Sequence, residues 1–227
     1  DNDKYRRGKE TTHYKFGQKK AQMLVVYFLK QAFRLIHENY FEILNSDIKP
    51  KNFPLIFLEI HKNINDNLGF LGAASGQYID TCPMNKLIDE SSYKENYNSL
   101  DSLLKLIHLK TTTFFEISFV PSYLMCGGSM DNISILKDSV KYFGLAFQIS
   151  DDFEDVEQDS KRVNNEYNPN IICKFGVKKT KDIYLNALKQ FNLAIGSLEM
   201  KHSVFQELCV FLNERVSKYI ITENDHR

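Results

Sequence analysis

Long runs in which apolar residues recur every three or four positions constrain the fold of this chain most strongly. In the segment 21–44, five apolar residues lie along one stripe that we expect to be buried: Leu24, Phe28, Ala32, Leu35 and Ile36. Such spacing is typical of an amphipathic α-helix, and the strict alternation of a half-buried strand is hard to find. Ten glycines and five prolines in 227 residues leave few positions that break the helical pattern.

The pattern predicts six long helices joined by short polar connections. Their expected ranges are 21–44, 54–81, 99–127, 132–158, 177–195 and 203–222. Pro121 should kink the third helix, because proline removes a backbone donor and clashes with the preceding turn. No repeat, linker or shift in composition marks a boundary. We therefore expect residues 1–227 to form a single all-α bundle without a sheet.

Charge and cysteine usage exclude several classes of protein. Lysine plus arginine and aspartate plus glutamate each number 29, so the chain lacks the basic field of nucleic-acid-binding proteins. The four cysteines have no zinc-ligand spacing, and we expect buried, reduced thiols in a cytoplasmic protein: Cys82, Cys126, Cys173 and Cys209. The polar first residues are unlike a signal peptide, and no apolar run reaches the length of a membrane span. We expect a soluble protein.

A dense group of carboxylates ends the fourth predicted helix, where six of the nine residues 151–159 are acidic. At about 100° per residue, five side chains share an arc of about 100°: Gln148, Asp151, Asp152, Asp155 and Asp159. No lysine relieves this face before Lys161. One interpretation is a divalent cation held by the carboxylates, and Mg²⁺ with a phosphate-bearing ligand suits such a face. The alternative is an acidic helix end that projects into water.

Two basic features elsewhere suit a phosphate group. Arg6 and Arg7 are adjacent and precede Gly8; each guanidinium offers a planar fork, and glycine lets the backbone turn or approach closely. Lys110 and Thr111 lie in the apolar context LIHLKTTTFFEI. That context favours a polar cavity, although a surface lysine remains the alternative.

In order and spacing, these segments resemble the motifs of the trans-prenyltransferases, the polyprenyl diphosphate synthases that include the farnesyl and geranylgeranyl enzymes. Their first aspartate-rich motif ends in an Asp followed by xxxxRRGxxTxHxxFG, which is matched by Asp1, Arg6, Arg7, Gly8, Thr11 or Thr12, His13, Phe16 and Gly17. The second reads GxxFQxxDDxxD, which is matched by Gly144, Phe147, Gln148, Asp151, Asp152 and Asp155. Between them, residues 76–80 resemble the family's GQxxD, and Lys110 with Thr111 resembles its KT.

The resemblance implies an isoprenoid synthase bundle around a central cavity. It also implies head-to-tail condensation of isopentenyl diphosphate with an allylic diphosphate, with geranylgeranyl or farnesyl diphosphate as the product. Mg²⁺ is the implied cofactor, and its implied ligands are Asp1, Asp151, Asp152 and Asp155. The residues expected to hold the allylic diphosphate are Arg6, Lys110, Thr111 and Gln148, with Arg7 on the isopentenyl diphosphate. The expected catalytic residues are Asp151, Asp152 and Lys110.

The sequence departs from the family pattern at two places. It begins at the last Asp of the first motif, and we expect it to lack the N-terminal helices and most of that motif. After the second motif, Lys161 is a doubtful substitute for the first of two family lysines, and Asn165 stands about where the second would be. The alternatives are a non-catalytic regulatory subunit of a synthase, or a terpene cyclase on the same fold. By resemblance we also expect a homodimer.

Overall fold

The computed structural model of the chain is almost entirely helical. It describes residues 3–6, 8–47, 49–50, 52–81, 99–160, 169–200 and 203–224. Two short strands come first, β1 (Tyr5–Arg6) and β2 (Lys9–Glu10). The helices are α1 (Thr12–Phe16), α2 (Gln18–Leu44), α3 (Phe53–Leu68), α4 (Ala73–Thr81), α5 (Leu100–Ile107), α6 (Thr113–Met125), α7 (Ile133–Ser160), α8 (Ile171–Phe175), α9 (Val177–Ser197) and α10 (Ser203–Asn224). A π-helical turn, His108–Thr112, joins α5 to α6, and a 3₁₀ turn, Met130–Asn132, precedes α7.

The chain divides into two compact units, residues 1–57 and 58–227, with the division inside α3. In the first unit, β1 and β2 pair antiparallel over two residues each. Gly8 lies in the turn between them at φ 73°, a conformation that glycine adopts without a steric penalty. The Thr11 hydroxyl closes the hairpin by donating to the Asp3 carbonyl at 2.6 Å. Our expectation that no sheet would form is therefore wrong for this short ladder.

Helix α2 belongs to the first unit and has no buried residue. Its C-terminal part carries Tyr40, whose ring stacks on Phe53 at 5.1 Å between centroids and contacts Phe57 at 4.0 Å. Its N-terminal half exposes large apolar side chains, among them Val26 (67% exposed) and Phe28 (64% exposed). Within its own unit, most of the apolar surface of α2 is therefore uncovered, and Leu24, Phe28 and Leu35 are exposed rather than buried as we expected.

Helix α7 lies at the centre of the second unit. It contacts α5, the π turn, α6, α8, α9 and α10. Phe143 illustrates the packing, since its ring lies 5.0 Å from that of Phe115 on α6 and 5.2 Å from that of Phe191 on α9. A helix surrounded in this way must be apolar over more than one face.

A buried carboxylate ties three helices of the second unit together. Glu116 on α6 is only 8% exposed. It accepts hydrogen bonds from the side chains of Asn63 (2.8 Å) and Asn67 (3.0 Å) on α3, and pairs with the ammonium of Lys137 on α7 at 3.2 Å. A buried charge is tolerated when it is paired and hydrogen-bonded in this way.

Two predicted helices are interrupted in the structure. The segment 54–81 is split into α3 and α4 by a turn at 69–72. A Cβ at Gly72 would lie 2.1 Å from the Asn67 carbonyl oxygen, so this tight turn requires glycine. The segment 99–127 contains the π turn, and Pro121 lies inside α6 after it. The remaining helices match their predicted ranges closely.

Two of the cysteines are not buried as we expected. Cys126 and Cys173 are exposed, whereas Cys209 is buried. Cys126 follows the end of α6 at a turn, and Cys173 lies on the short helix α8; neither position faces the core. Cys82 lies outside the described residues. Within the described ranges, no helix combines the length and apolar character needed to cross a membrane.

A candidate diphosphate and metal site at the acidic end of α7

The acidic face predicted from the sequence lies at the C-terminal end of α7, but its carboxylates have different environments. Asp155 is exposed, and the Asp151 side chain is 33% exposed. These two residues are one turn apart and therefore share a face of the helix. Asp152 is only 8% exposed. Asp159 accepts a hydrogen bond from the Asn170 side chain at 3.1 Å.

Asp152 connects α7 to the start of α8. Its carboxylate accepts the backbone N–H of Ile171 at 2.9 Å and the amide of Gln148 at 2.8 Å. Burial raises the pKa of Asp152 to about 7, against the lowering effect of these two hydrogen bonds. Asn170, 1% exposed, donates to the Asp152 carbonyl at 2.8 Å and caps α8 by accepting from Ile172 and Cys173. The second aspartate of the motif thus has a structural role.

Lys110 and Thr111, the KT pair, lie in the π turn, and this turn contacts α7. The Thr111 hydroxyl donates to the Gln148 side-chain oxygen at 2.6 Å. Since Gln148 donates in turn to Asp152, a continuous chain of hydrogen bonds runs from Thr111 to the acidic end of α7. A π turn shifts the register of a helix and often marks a functional position. Here the shift falls on the two residues predicted to hold a diphosphate.

Lys110 pairs with the aspartate of the GQxxD segment. Its ammonium lies 2.6 Å from a carboxylate oxygen of Asp80, which is 14% exposed, whereas the Lys110 side chain is 39% exposed. The pair holds the ammonium beside Asp80, while the Lys110 side chain as a whole stays partly exposed. The sequence named Asp80 only within the GQxxD motif and assigned it no partner, so its pairing with Lys110 is a contact that the structure adds.

Glycine at position 76 makes this pairing possible. A Cβ there would lie 2.6 Å from the backbone of Leu109 and of Lys110, so α4 approaches the π turn more closely than any other residue would allow. Gly144 likewise allows α7 to approach the π turn closely, because a Cβ at this position would lie 2.6 Å from the Thr112 hydroxyl. Two motif glycines therefore set the distances between the three segments that form the site.

We expect Gly76→Ala to push α4 away from the π turn, because the added methyl group has no space beside the Leu109 carbonyl carbon. Overpacking of this kind costs about 1–3 kcal/mol of folding free energy. The Asp80–Lys110 pair should lengthen, and diphosphate affinity should fall by about tenfold. Thermal unfolding and calorimetric titration with inorganic diphosphate measure both effects. Unchanged stability and affinity would contradict the close approach described here.

Arg215 on α10 contacts the acidic face of α7, and it was not identified from the sequence. It donates to both carboxylate oxygens of Glu154, at 2.7 and 2.6 Å, and to Asp151 at 2.5 Å. Its side chain is 13% exposed. Hydrogen bonding to Glu154 is the largest cause of a raised pKa for Arg215, so the charge is permanent. A lone arginine in the context NERVSK carries no motif by which it could have been found.

The remaining predicted residues either belong to the first unit or are not among the described residues. Arg6 is exposed on β1, in the first unit. Asp1, Arg7, Lys161 and Asn165 lie outside the described residues, so their expected roles stay predictions.

The donor set at the end of α7 fits Mg²⁺ in part. Asp151 and Asp155 offer hard carboxylate oxygens on one face, and Mg²⁺ usually binds one or two carboxylates together with water and substrate phosphate. The Asp152 oxygens are engaged by Ile171 and Gln148. Among the described residues, no three carboxylate, histidine or cysteine side chains converge on one point. The ligand roles of Asp151, Asp152 and Asp155 stay predictions.

Comparison with known proteins agrees with the motifs. The heterodimeric geranylgeranyl pyrophosphate synthase large subunit 1 of Arabidopsis thaliana is 31% identical over 174 residues, 76% of this chain and 43% of that protein. This chain thus spans less than half the length of that plant relative.

Solved structures share the fold. An FPP/GFPP synthase from Zymomonas mobilis superposes with a TM-score of 0.66 at 22% identity, covering 91% of this chain and 67% of that one. A geranyltransferase from Helicobacter pylori, complexed with magnesium and isoprenyl diphosphate, superposes with a TM-score of 0.63 at 19% identity, covering 94% and 65%. The fold is therefore the all-α isoprenoid synthase fold. The polyprenyl synthetase family model matches residues 1–169, which is most of the chain, and the chain belongs to the polyprenyl synthetase family.

Proposed function

We propose that this chain acts as a short-chain prenyl diphosphate synthase. It condenses isopentenyl diphosphate with an allylic diphosphate, and geranylgeranyl or farnesyl diphosphate is the product. One observation carries the proposal. Three separate sequence motifs meet in one cluster that contains a partly exposed lysine side chain, and its members are Asp80, Lys110, Thr111 and Gln148. The names of the plant relative and of the superposed bacterial structures support the same reaction class.

Lys110 is the residue we assign to the allylic diphosphate. Charge accumulates on the diphosphate oxygens as their bond to the allylic carbon breaks, and a fixed ammonium stabilises that charge. Asp80 holds the lysine in place, so little reorganisation is needed when the charge develops. The Thr111 hydroxyl, oriented by Gln148, is a second polar contact for the same group. Arg6 and Arg7 are assigned to the allylic and the isopentenyl diphosphate by their match to the family motif.

Asp151 and Asp155 are the residues we assign to magnesium, with Asp1 as a third ligand by its motif position. When bound, Mg²⁺ would neutralise charge on the leaving diphosphate. We assign Asp152 a supporting role, because its oxygens already bind the Ile171 N–H and the Gln148 amide. The magnesium and isoprenyl diphosphate bound to the Helicobacter geranyltransferase support this choice of cofactor and ligand.

A homodimer in the cytoplasm is the proposed state of the protein. The apolar surface that α2 exposes within its own unit supports a partner, and a second copy of the chain is the partner we propose.

The proposal is tested with the full-length protein, Mg²⁺, labelled isopentenyl diphosphate and each allylic diphosphate of five, ten or fifteen carbons in turn. We expect a discrete product, longer by one or more five-carbon units, that is absent without the allylic substrate or after chelation of the metal. Chromatography of the dephosphorylated product gives its chain length.

Two results would contradict the proposal. Retained metal-dependent binding of an allylic diphosphate with no elongated product would favour a non-catalytic subunit. Release of a cyclic hydrocarbon from the allylic substrate alone would favour a terpene cyclase.

A further inference from the structure

The Arg215 side chain lies against the acidic face of α7. Most of its contacts there are with residues other than Asp151. Both oxygens of Glu154 accept its Nε and Nη2 hydrogens, and the Ser150 hydroxyl accepts from Nη1 at 3.0 Å. The guanidinium also lies 5.7 Å from the Phe147 ring centroid and 5.5 Å from that of Phe211. Planar contacts with a carboxylate and with aromatic rings favour arginine over lysine at this position.

The guanidinium of Arg215 also contacts Asp151, in addition to Glu154 and Ser150. Arg215 Nη2 donates to one Asp151 oxygen at 2.5 Å, while its other bonds go to Glu154 and Ser150. If Asp151 turned away, the arginine would keep its two bonds to Glu154, its bond to Ser150 and its two ring contacts. Loss of the Asp151 contact therefore leaves α10 bound to α7 through Glu154 and Ser150.

We propose that Arg215 is a positioning residue that competes with the metal ion for the Asp151 carboxylate and thereby weakens metal binding in the absence of substrate. A guanidinium within hydrogen-bonding distance of Asp151 repels any cation on the same carboxylate, since like charges a few ångströms apart interact strongly when solvent is partly excluded. A diphosphate brings negative charge that offsets this repulsion. Metal binding and diphosphate binding are therefore coupled through Arg215, and the metal alone binds weakly. The inference rests on the proposed metal role of Asp151.

The test is a titration of the substrate-free full-length protein with Mn²⁺, followed by electron paramagnetic resonance of the free ion. Removing one positive charge at this distance should tighten Mn²⁺ binding by about tenfold in Arg215→Gln. Arg215→Lys keeps the charge and should bind Mn²⁺ within about threefold of the wild type. Lys218→Gln is the matched control, because Lys218 is an exposed cation one turn further along α10 and its loss changes net charge equally. Its Mn²⁺ affinity should equal that of the wild type.

Inorganic diphosphate should reduce the difference in Mn²⁺ affinity between Arg215→Gln and the wild type. With saturating diphosphate we expect the Arg215→Gln and wild-type Mn²⁺ affinities to agree within about threefold, since the added negative charge offsets the repulsion. A change in stability alone would not produce an affinity difference that depends on diphosphate. Equal or weaker Mn²⁺ binding by Arg215→Gln without diphosphate would overturn the proposal.

A second measurement uses the wild-type protein and so does not depend on a variant that folds. Titration with diamagnetic Mg²⁺ should shift the ¹⁵N resonance of Arg215 Nη2 as Asp151 exchanges partners, while the Nε resonance held by Glu154 moves little. An unchanged Nη2 resonance at saturating Mg²⁺ would also overturn the proposal. A separate variant distinguishes failure of the proposed metal site from failure of the Arg215 proposal. If Asp151 does not bind the metal, Asp151→Asn should bind Mn²⁺ as the wild type does.

Discussion

Replacing Asp151 with asparagine should lower kcat by about a thousandfold or more while leaving the fold intact. The substitution removes the charge of the carboxylate that we propose as a magnesium ligand, so the charge developing on the leaving diphosphate would lose stabilisation. The asparagine oxygen can still accept the Arg215 N–H, and the core contacts of α7 are unaffected. We therefore expect the unfolding midpoint to change by only a few degrees. Steady-state kinetics with isopentenyl and allylic diphosphates, together with thermal unfolding, measure the two effects.

Glu157→Gln is the matched control for this variant. Glu157 is exposed on the same helix, and the substitution changes the net charge equally without affecting the proposed metal pair. Its kcat should stay within about twofold of the wild type. Unchanged turnover and unchanged Mg²⁺ dependence in Asp151→Asn would show that the carboxylates at the end of α7 serve another purpose.

Lys110→Gln should lower kcat/KM by about a hundredfold to a thousandfold, through loss of the ammonium assigned to the allylic diphosphate. The variant also leaves Asp80, 14% exposed, without its partner at 2.6 Å. An uncompensated carboxylate of this kind costs stability on the order of 1–3 kcal/mol. Both losses should appear together in the single variant.

The double variant Asp80→Asn/Lys110→Gln separates the loss of activity from the loss of stability. It removes the unpaired carboxylate and should recover most of the lost stability, but it should not recover activity. Lys105→Gln, an exposed lysine on α5, is the control and should behave as the wild type. Recovery of kcat/KM in the double variant would contradict a direct role for Lys110 and would reduce it to a structural ion pair.

The helical architecture was predictable because apolar periodicity is a local signal. The ranges 132–158 and 177–195 were predicted to within a few residues of α7 and α9. The break at 69–72 was missed because Gly69 and Gly72 also fit a helix that packs closely against a neighbour. Only the backbone shows that a Cβ at Gly72 would collide with Asn67. The π turn was missed because a shift in hydrogen-bond register leaves no mark on residue spacing.

The sequence predicted those features of the candidate site that depend on helix geometry alone. It did not predict the features that depend on tertiary contacts. The angle of about 40° between Asp151 and Asp155 on a helical wheel correctly placed both on one face. The same wheel cannot distinguish Asp151 from Asp152, since the difference arises from the Ile171 N–H, 19 positions along the chain. Arg215 lies 64 positions from Asp151 in sequence, and no local pattern signals that contact.

The most direct test of the central claim is a crystal of the full-length protein grown with Mn²⁺ and inorganic diphosphate, with data collected at the manganese absorption edge. We expect an anomalous peak bound by Asp151 and Asp155, with a diphosphate oxygen in contact with the Lys110 ammonium. A manganese ion bound elsewhere, or a diphosphate away from Lys110, would contradict the assignment of these residues to metal-assisted diphosphate binding.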